Sequence, residues 1–73
     1  MKIEITVTDA NGKFIASWGE FTPLNDWHAV DYLGQHFAGH SRATLSAALA
    51  AGRLVGQTPG PYGPHTLTAI ITP

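Results

Sequence analysis

The chain has 73 residues, of which 44% are hydrophobic and 12% are charged, and its formal net charge is −1. This length leaves room for one small core, so we assign residues 1–73 to a single domain. The hydrophobic share excludes a disordered chain, and the absence of cysteine excludes disulfides and a thiolate zinc site.

The N-terminal residues alternate between apolar and polar, which is typical of a strand and unlike the apolar core of a signal peptide. No stretch of the sequence has the apolar length that crosses a bilayer. The sequence therefore predicts a cytoplasmic protein with no membrane partner, and Met1 leads us to expect a complete small gene product.

A β-hairpin is the first predicted element. Its turn signal is Asn11-Gly12, because both residues tolerate positive φ. With this pair as a two-residue loop, Val7 faces Ala16. Ile5 then faces Trp18, and the apolar partners share one face of the hairpin.

Two short helices follow. The first is predicted to begin near residues 22–25, with Pro23 at its first position and Thr22 or Asn25 as its cap. Gly39 is predicted to end it. Its apolar residues recur at helical spacing. They are Trp27, Val30, Leu33 and Phe37.

The second predicted helix has a signal at each end. Ser41 caps the free amide groups of its first turn, and Gly52 closes its last turn in a left-handed conformation. Its buried residues are predicted to be Leu45, Ala48 and Leu49.

Residues 53–56 are predicted to form a short strand or an extended link, and the proline-rich residues 58–64 neither helix nor sheet. A last strand follows, with apolar residues alternating with threonines. The predicted fold is α+β, an antiparallel three- to four-stranded sheet packed on a helix pair. The predicted core comprises Ile3, Ile5, Val7, Phe14, Ala16, Trp18, Val30, Leu33, Phe37, Leu45, Leu49, Leu67, Ala69 and Ile71.

This layout resembles the nuclease-associated modular domains of homing endonucleases. The similar stretches are residues 7–18, a strand, an Asn-Gly-Lys turn and a second strand with an aromatic end, and residues 41–49, a capped helix. The resemblance implies a helix-turn-helix-like module whose second helix contacts DNA. The residues then implicated are Arg42, Thr44 and Ser46, with Arg53 and Lys13 as further basic residues.

The charge balance opposes that interpretation, because DNA affinity rests on several Lys and Arg and this chain has four. We therefore predict a small non-enzymatic protein that acts by binding a protein partner, as the small inhibitors encoded by phages do. DNA binding by residues 41–51 is the alternative. Aromatic side chains and uncharged strand residues suit such a contact. We assign the protein contact to Tyr62, Trp27, Tyr32, Thr68 and Ile70.

The uncharged strand over residues 66–72 also predicts a two-fold homodimer through the sheet, by edge pairing or face packing. His28, His36 and His40 are spaced so that one helix face would bring them together, but Gly39 interrupts that helix and no fourth ligand is evident. No nucleophile elbow or phosphate loop is present. We therefore predict no catalytic residue, no metal and no cofactor.

Overall fold

A computed structural model describes residues 1–60 and 63–73, and for residues 58–60 and 63 it describes the backbone. The elements in chain order are β1 (Lys2–Thr8), β2 (Phe14–Phe21), α1 (Asp26–His36), α2 (Arg42–Ala51), β3 (Arg53–Gly60) and β4 (Gly63–Thr72). The strands form one antiparallel sheet in the order β2-β1-β4-β3, and the sheet is open. The predicted α+β fold is confirmed, with four strands. Neither helix of the described chain is long and apolar enough to span a membrane.

The core lies between the helix pair and one face of the sheet, because apolar side chains alternate along β1 and β4 and recur at helical spacing in α1 and α2. Ile3, Ile5 and Leu33 are fully buried at its centre. Its members are Ile3, Ile5, Ala29, Val30, Leu33, Phe37, Leu45, Ala48, Leu54, Leu67, Ala69 and Ile71. Leu49, which we predicted in the core, is half-buried against it.

The β1–β2 hairpin keeps the predicted register only in its middle, where Val7 faces Ala16. The turn has three residues between Asp9 and Lys13, not two, and Gly12 adopts the left-handed conformation at φ +81°. Two register shifts follow along β2. The second leaves both Trp18 and Gly19 opposite the single residue Ile5, so a bulge replaces the regular Ile5–Trp18 pair that we predicted.

The two shifts remove β2 from the predicted core. Phe14 pairs with Thr8 on the face of the sheet away from the helices and is 62% exposed, and Trp18 is 49% exposed. Ala16 is half-buried. The register shift at Ile15 turns Phe14 to that outer face, whereas Trp18 stays on the helix side but is half-covered because β2 is an edge strand with one neighbour.

Residues 58–60 and 63–64, the described part of the proline-rich segment, are strand, which corrects the prediction of neither helix nor sheet over residues 58–64. β3 continues to Gly60, β4 begins at Gly63, and Pro59 pairs with Pro64. β1 ends at the level of Thr66, so beyond that residue each strand of this hairpin has only one neighbour. Proline lacks a backbone N–H, and at these positions no second strand needs that hydrogen bond.

Both helices are capped by side chains. Asn25 caps α1, so Pro23 lies before the helix and not at its first position, and α1 ends at His36, before the predicted Gly39. Ser41 caps α2, and Gly52 closes it at φ +79°, both as predicted. Trp27 is 69% exposed, which corrects its place in the predicted core stripe of α1.

Candidate functional site

Helix α1 has three sides that meet different surroundings. The buried side carries Ala29, Val30 and Leu33. The side toward β2 carries residues 28, 32 and 36, whose rings contact aromatic side chains of that strand. The side toward α2 carries Trp27 and Asp31, and both contact Arg42.

Arg42 holds the exposed Trp27 ring in place. Its guanidinium carbon lies 5.2 Å from the centre of the indole ring, which is the geometry of a cation–π contact. The same guanidinium donates to the Asp31 carboxylate at 3.0 Å. The exposed indole ring therefore has a cation–π contact with an arginine that also forms an exposed ion pair with Asp31.

Leu24 is the most exposed large apolar side chain in the described part of the molecule, at 88%. Its backbone is nevertheless fixed, because the Leu24 N–H donates to Nδ1 of His28 at 2.9 Å. Asn25 Oδ1 in turn accepts from the His28 N–H at 2.8 Å. His28 thus donates its N–H to the N-cap Asn25 and accepts from the residue before the cap, a variation on the capping box, in which that acceptor would bind the N–H of the cap itself.

A shallow groove of about 210 Å³ lies beside Trp27, between the two helices. Val30 forms its apolar part, Ser46 contributes a hydroxyl from α2, and Asp26 contributes a carboxylate from the first turn of α1. We call the surface made of Leu24, Asp26, Trp27, Val30, Arg42 and Ser46 the Trp27 surface.

Tyr32, predicted as a contact residue, has a structural role. Its ring stacks on Phe21 of β2 with centres 4.0 Å apart, and the His36 ring stacks on Trp18 at 4.8 Å. His28 meets the edge of Phe21 at 5.0 Å. These contacts attach the edge strand to α1. Residues 28, 32 and 36 are four apart in sequence, which places them on one side of the helix, and this spacing was the sequence signal for their contacts with β2.

The predicted protein-contact residues do not form one patch. Trp27 lies on the helix layer, whereas Thr68 and Ile70 lie on the opposite, open face of the sheet. Tyr62 lies outside the described residues. The sequence analysis did not predict Leu24 as a contact residue. The available signal was its position directly before the helix cap Asn25.

The residues of the DNA-binding alternative are also dispersed. Arg42 is engaged by Asp31 and Trp27, Thr44 donates its N–H to the Ser41 cap, and Ser46 lines the groove. Arg53 begins β3 on the open face of the sheet, and Lys13 lies at the hairpin turn. DNA binding by α2 stays a prediction of the sequence alone.

His28, His36 and His40 pack against aromatic rings, and His40 contacts Phe37 edge-on at 6.0 Å. Within residues 1–60 and 63–73, no three His, Asp or Glu side chains are placed to hold a metal ion. Comparison of the chain with protein-family models, with curated proteins and with solved structures found no match.

Proposed function

We propose that this protein acts by binding another protein through the Trp27 surface. The observation that carries the proposal is a tryptophan that is 69% exposed and yet held by a neighbouring arginine. Tryptophan and arginine are enriched at the residues that dominate binding free energy in interfaces. An inhibitor or regulator of the kind that phages encode works in this way, by covering a surface of its target.

The two most exposed large apolar side chains of the described residues are those of Leu24 and Trp27. Leu24 and Trp27 stand three residues apart at the start of α1, and water covers most of each side chain. Burying a large apolar side chain contributes about 1.5–3 kcal/mol. These two residues are therefore the expected anchors of the contact.

Pre-organisation increases what the anchors contribute. Immobilising a side chain on binding costs roughly 0.5–1.5 kcal/mol. Arg42 already restricts the Trp27 ring, and the His28 side chain already holds the Leu24 backbone. Part of the ordering cost is thus met in the free protein.

The groove defines the chemistry of the partner. Trp27 offers the exposed apolar side of the groove, and Asp26 offers an exposed carboxylate at the same groove. A partner protein that inserts an apolar side chain and presents a hydrogen-bond donor or a cation to Asp26 fits both features.

The test starts from affinity capture with the whole chain as bait in extract of the native host. We expect a partner that the parent retains and Trp27→Ala loses. With that partner purified, Trp27→Ala should raise Kd by about 30-fold or more, which corresponds to about 2 kcal/mol at a hot spot. Arg42→Gln should raise Kd by about threefold to tenfold, because it frees the indole ring.

Ile15→Thr is the matched control, since it removes another exposed apolar side chain from β2 at the hairpin end of the molecule. It should leave Kd unchanged. Trp27→Ala should unfold at the same urea concentration as the parent, because its side chain lies mainly in water. Partners that bind Trp27→Ala and the parent equally would remove the proposal.

A further inference from the structure

The face of the sheet away from the helices is uncovered, and its centre holds no charge among the described residues. The register places side chains in rows that run across all four strands. The two central rows, read from β2 to β3, are Ser17, Thr6, Thr68, Val55 and Phe14, Thr8, Thr66, Gln57. Charged side chains normally protect such a surface from association, and here they are missing from its middle.

The next row along the strands is polarised. It reads Glu20, Glu4, Ile70, Arg53 from β2 to β3, so its two ends carry opposite charge. Glu4 and Glu20 face each other directly, which is unfavourable for like charges. Lys2 contacts Glu20 at 3.4 Å and leaves one negative charge in excess at this end. Arg53 forms no ion pair with any residue of the described chain.

We propose that a second copy of this chain packs face to face on the open sheet, about a two-fold axis that runs parallel to the strands between β1 and β4. Rotation about this axis places β2 of one copy opposite β3 of the other. Each row of side chains then faces the same row of the second copy. The carboxylate of Glu20 then meets the guanidinium of Arg53 of the second copy, at both sides of the interface. Thr6 meets Thr68 at its centre.

A second copy fits this face because the two ends of the polarised row are complementary under that axis. An isologous contact requires one patch to match itself after rotation, and Glu20 meets Arg53 at both ends, while between them Glu4 lies over Ile70 at the margin of the contact. The contact also removes Phe14, Val55 and Ile70 from water, which are 62%, 46% and 46% exposed.

Edge-to-edge pairing by the last strand, one form of the predicted dimer, is blocked over residues 66–70, where β4 lies between β1 and β3. The β2 edge is broken by its two register shifts, which hinder pairing with another strand. Face packing is the arrangement that keeps Thr68 and Ile70 at the contact.

Charge reversal tests both the dimer and its geometry. Arg53→Glu and Glu20→Arg each place like charges at both ends of the polarised contact, so each variant alone should raise the dimer Kd at least about tenfold. In a one-to-one mixture of the two variants, each glutamate faces an arginine at both sides. The mixture should form a heterodimer with a Kd within about threefold of the parent value.

The measurements are sedimentation equilibrium and light scattering on the whole chain at micromolar concentration, with circular dichroism to verify folding. Glu20→Arg also loses its contact with Lys2, so Arg53→Glu, which touches no intramolecular ion pair in the described chain, is the cleaner variant. A monomeric parent overturns the proposal. So does a parent dimer that Arg53→Glu leaves intact, or a mixture that stays monomeric while both variants are folded.

Discussion

Asp9 shows how one side chain determines the shape of a turn. Its Oδ1 accepts from the Lys13 N–H at 2.9 Å and from the Asn11 N–H at 2.8 Å. These hydrogen bonds, that of Lys13 first, lower the pKa of the Asp9 carboxyl below its ordinary value of 3.8. The three-residue loop is thereby favoured over the two-residue loop that Asn11-Gly12 alone indicates.

The lowered pKa of Asp9 predicts an acid-dependent loss of stability. Because the folded-state pKa lies below the unfolded-state value, the carboxylate stabilises the fold fully above about pH 3.8, and this stabilisation is lost as pH falls through the folded pKa. Asp9→Asn keeps an oxygen that accepts both hydrogen bonds but does not titrate. Urea unfolding from neutral pH to about pH 2 should show a steeper acid loss for the parent than for Asp9→Asn. Parallel curves for the two proteins would show that Asp9 contributes nothing here.

At the scale of elements, the end of α1 is fixed by contact with β3. Phe37 follows the last helical residue and is buried, and its ring lies over Gly56 of β3. A Cβ at position 56 would stand 2.8 Å from Cδ1 of Phe37, closer than carbon atoms approach each other. Gly56 is therefore required for the helix layer to rest on the sheet at this point.

Two glycine-to-alanine variants should change stability in opposite directions. Gly56→Ala forces the buried Phe37 ring to move and should lower the free energy of unfolding by about 1–3 kcal/mol. Gly34→Ala is the matched control. Gly34 lies inside α1, and a Cβ there would meet only Cδ1 of Leu45, at an ordinary contact distance of 3.5 Å. It should raise the free energy of unfolding by about 0.5–1 kcal/mol. Urea unfolding of both variants decides this, and a shift of the same sign in both would contradict the packing account.

At the scale of the whole molecule, stability depends on a core that only one face of the sheet supplies. Leu33 of α1 is fully buried at its centre, and Leu49 of α2 is half-buried at its margin. Leu33→Ala should lower the free energy of unfolding by about 2–5 kcal/mol, a large part of what a small domain has. Leu49→Ala, the same change in the neighbouring helix, should lower it by less than about 2 kcal/mol because it leaves a smaller cavity. Equal losses, measured by urea unfolding, would place Leu49 in the core after all.

The two proposed contacts lie on opposite layers of the molecule. The Trp27 surface belongs to the helix layer, and the polarised row and its threonines belong to the open face of the sheet. A face-to-face dimer therefore leaves both Trp27 surfaces free, and it would present them to a partner as a pair. Either contact can fail its test without affecting the other.

The sequence by itself determined the features that depend on neighbouring residues. The caps of α2, Ser41 and Gly52, act within one turn of the helix and stand as predicted. Alternation in β1 and β4 predicted which residues enter the core and which threonines face away from it. The middle of the first hairpin, Val7 opposite Ala16, followed from the same alternation.

Only the tertiary structure decided which apolar residues are covered. Phe14 and Trp18 have the pattern of core residues, but their strand is at the edge of the sheet and its register shifts twice. Trp27 has the spacing of a buried helix position, yet it is 69% exposed and its neighbour from α2 is the charged side chain of Arg42. Burial depends on what a distant element places opposite a residue, and local periodicity carries no record of that element. The open sheet face and the Trp27 surface, where the proposed contacts lie, are both of this kind.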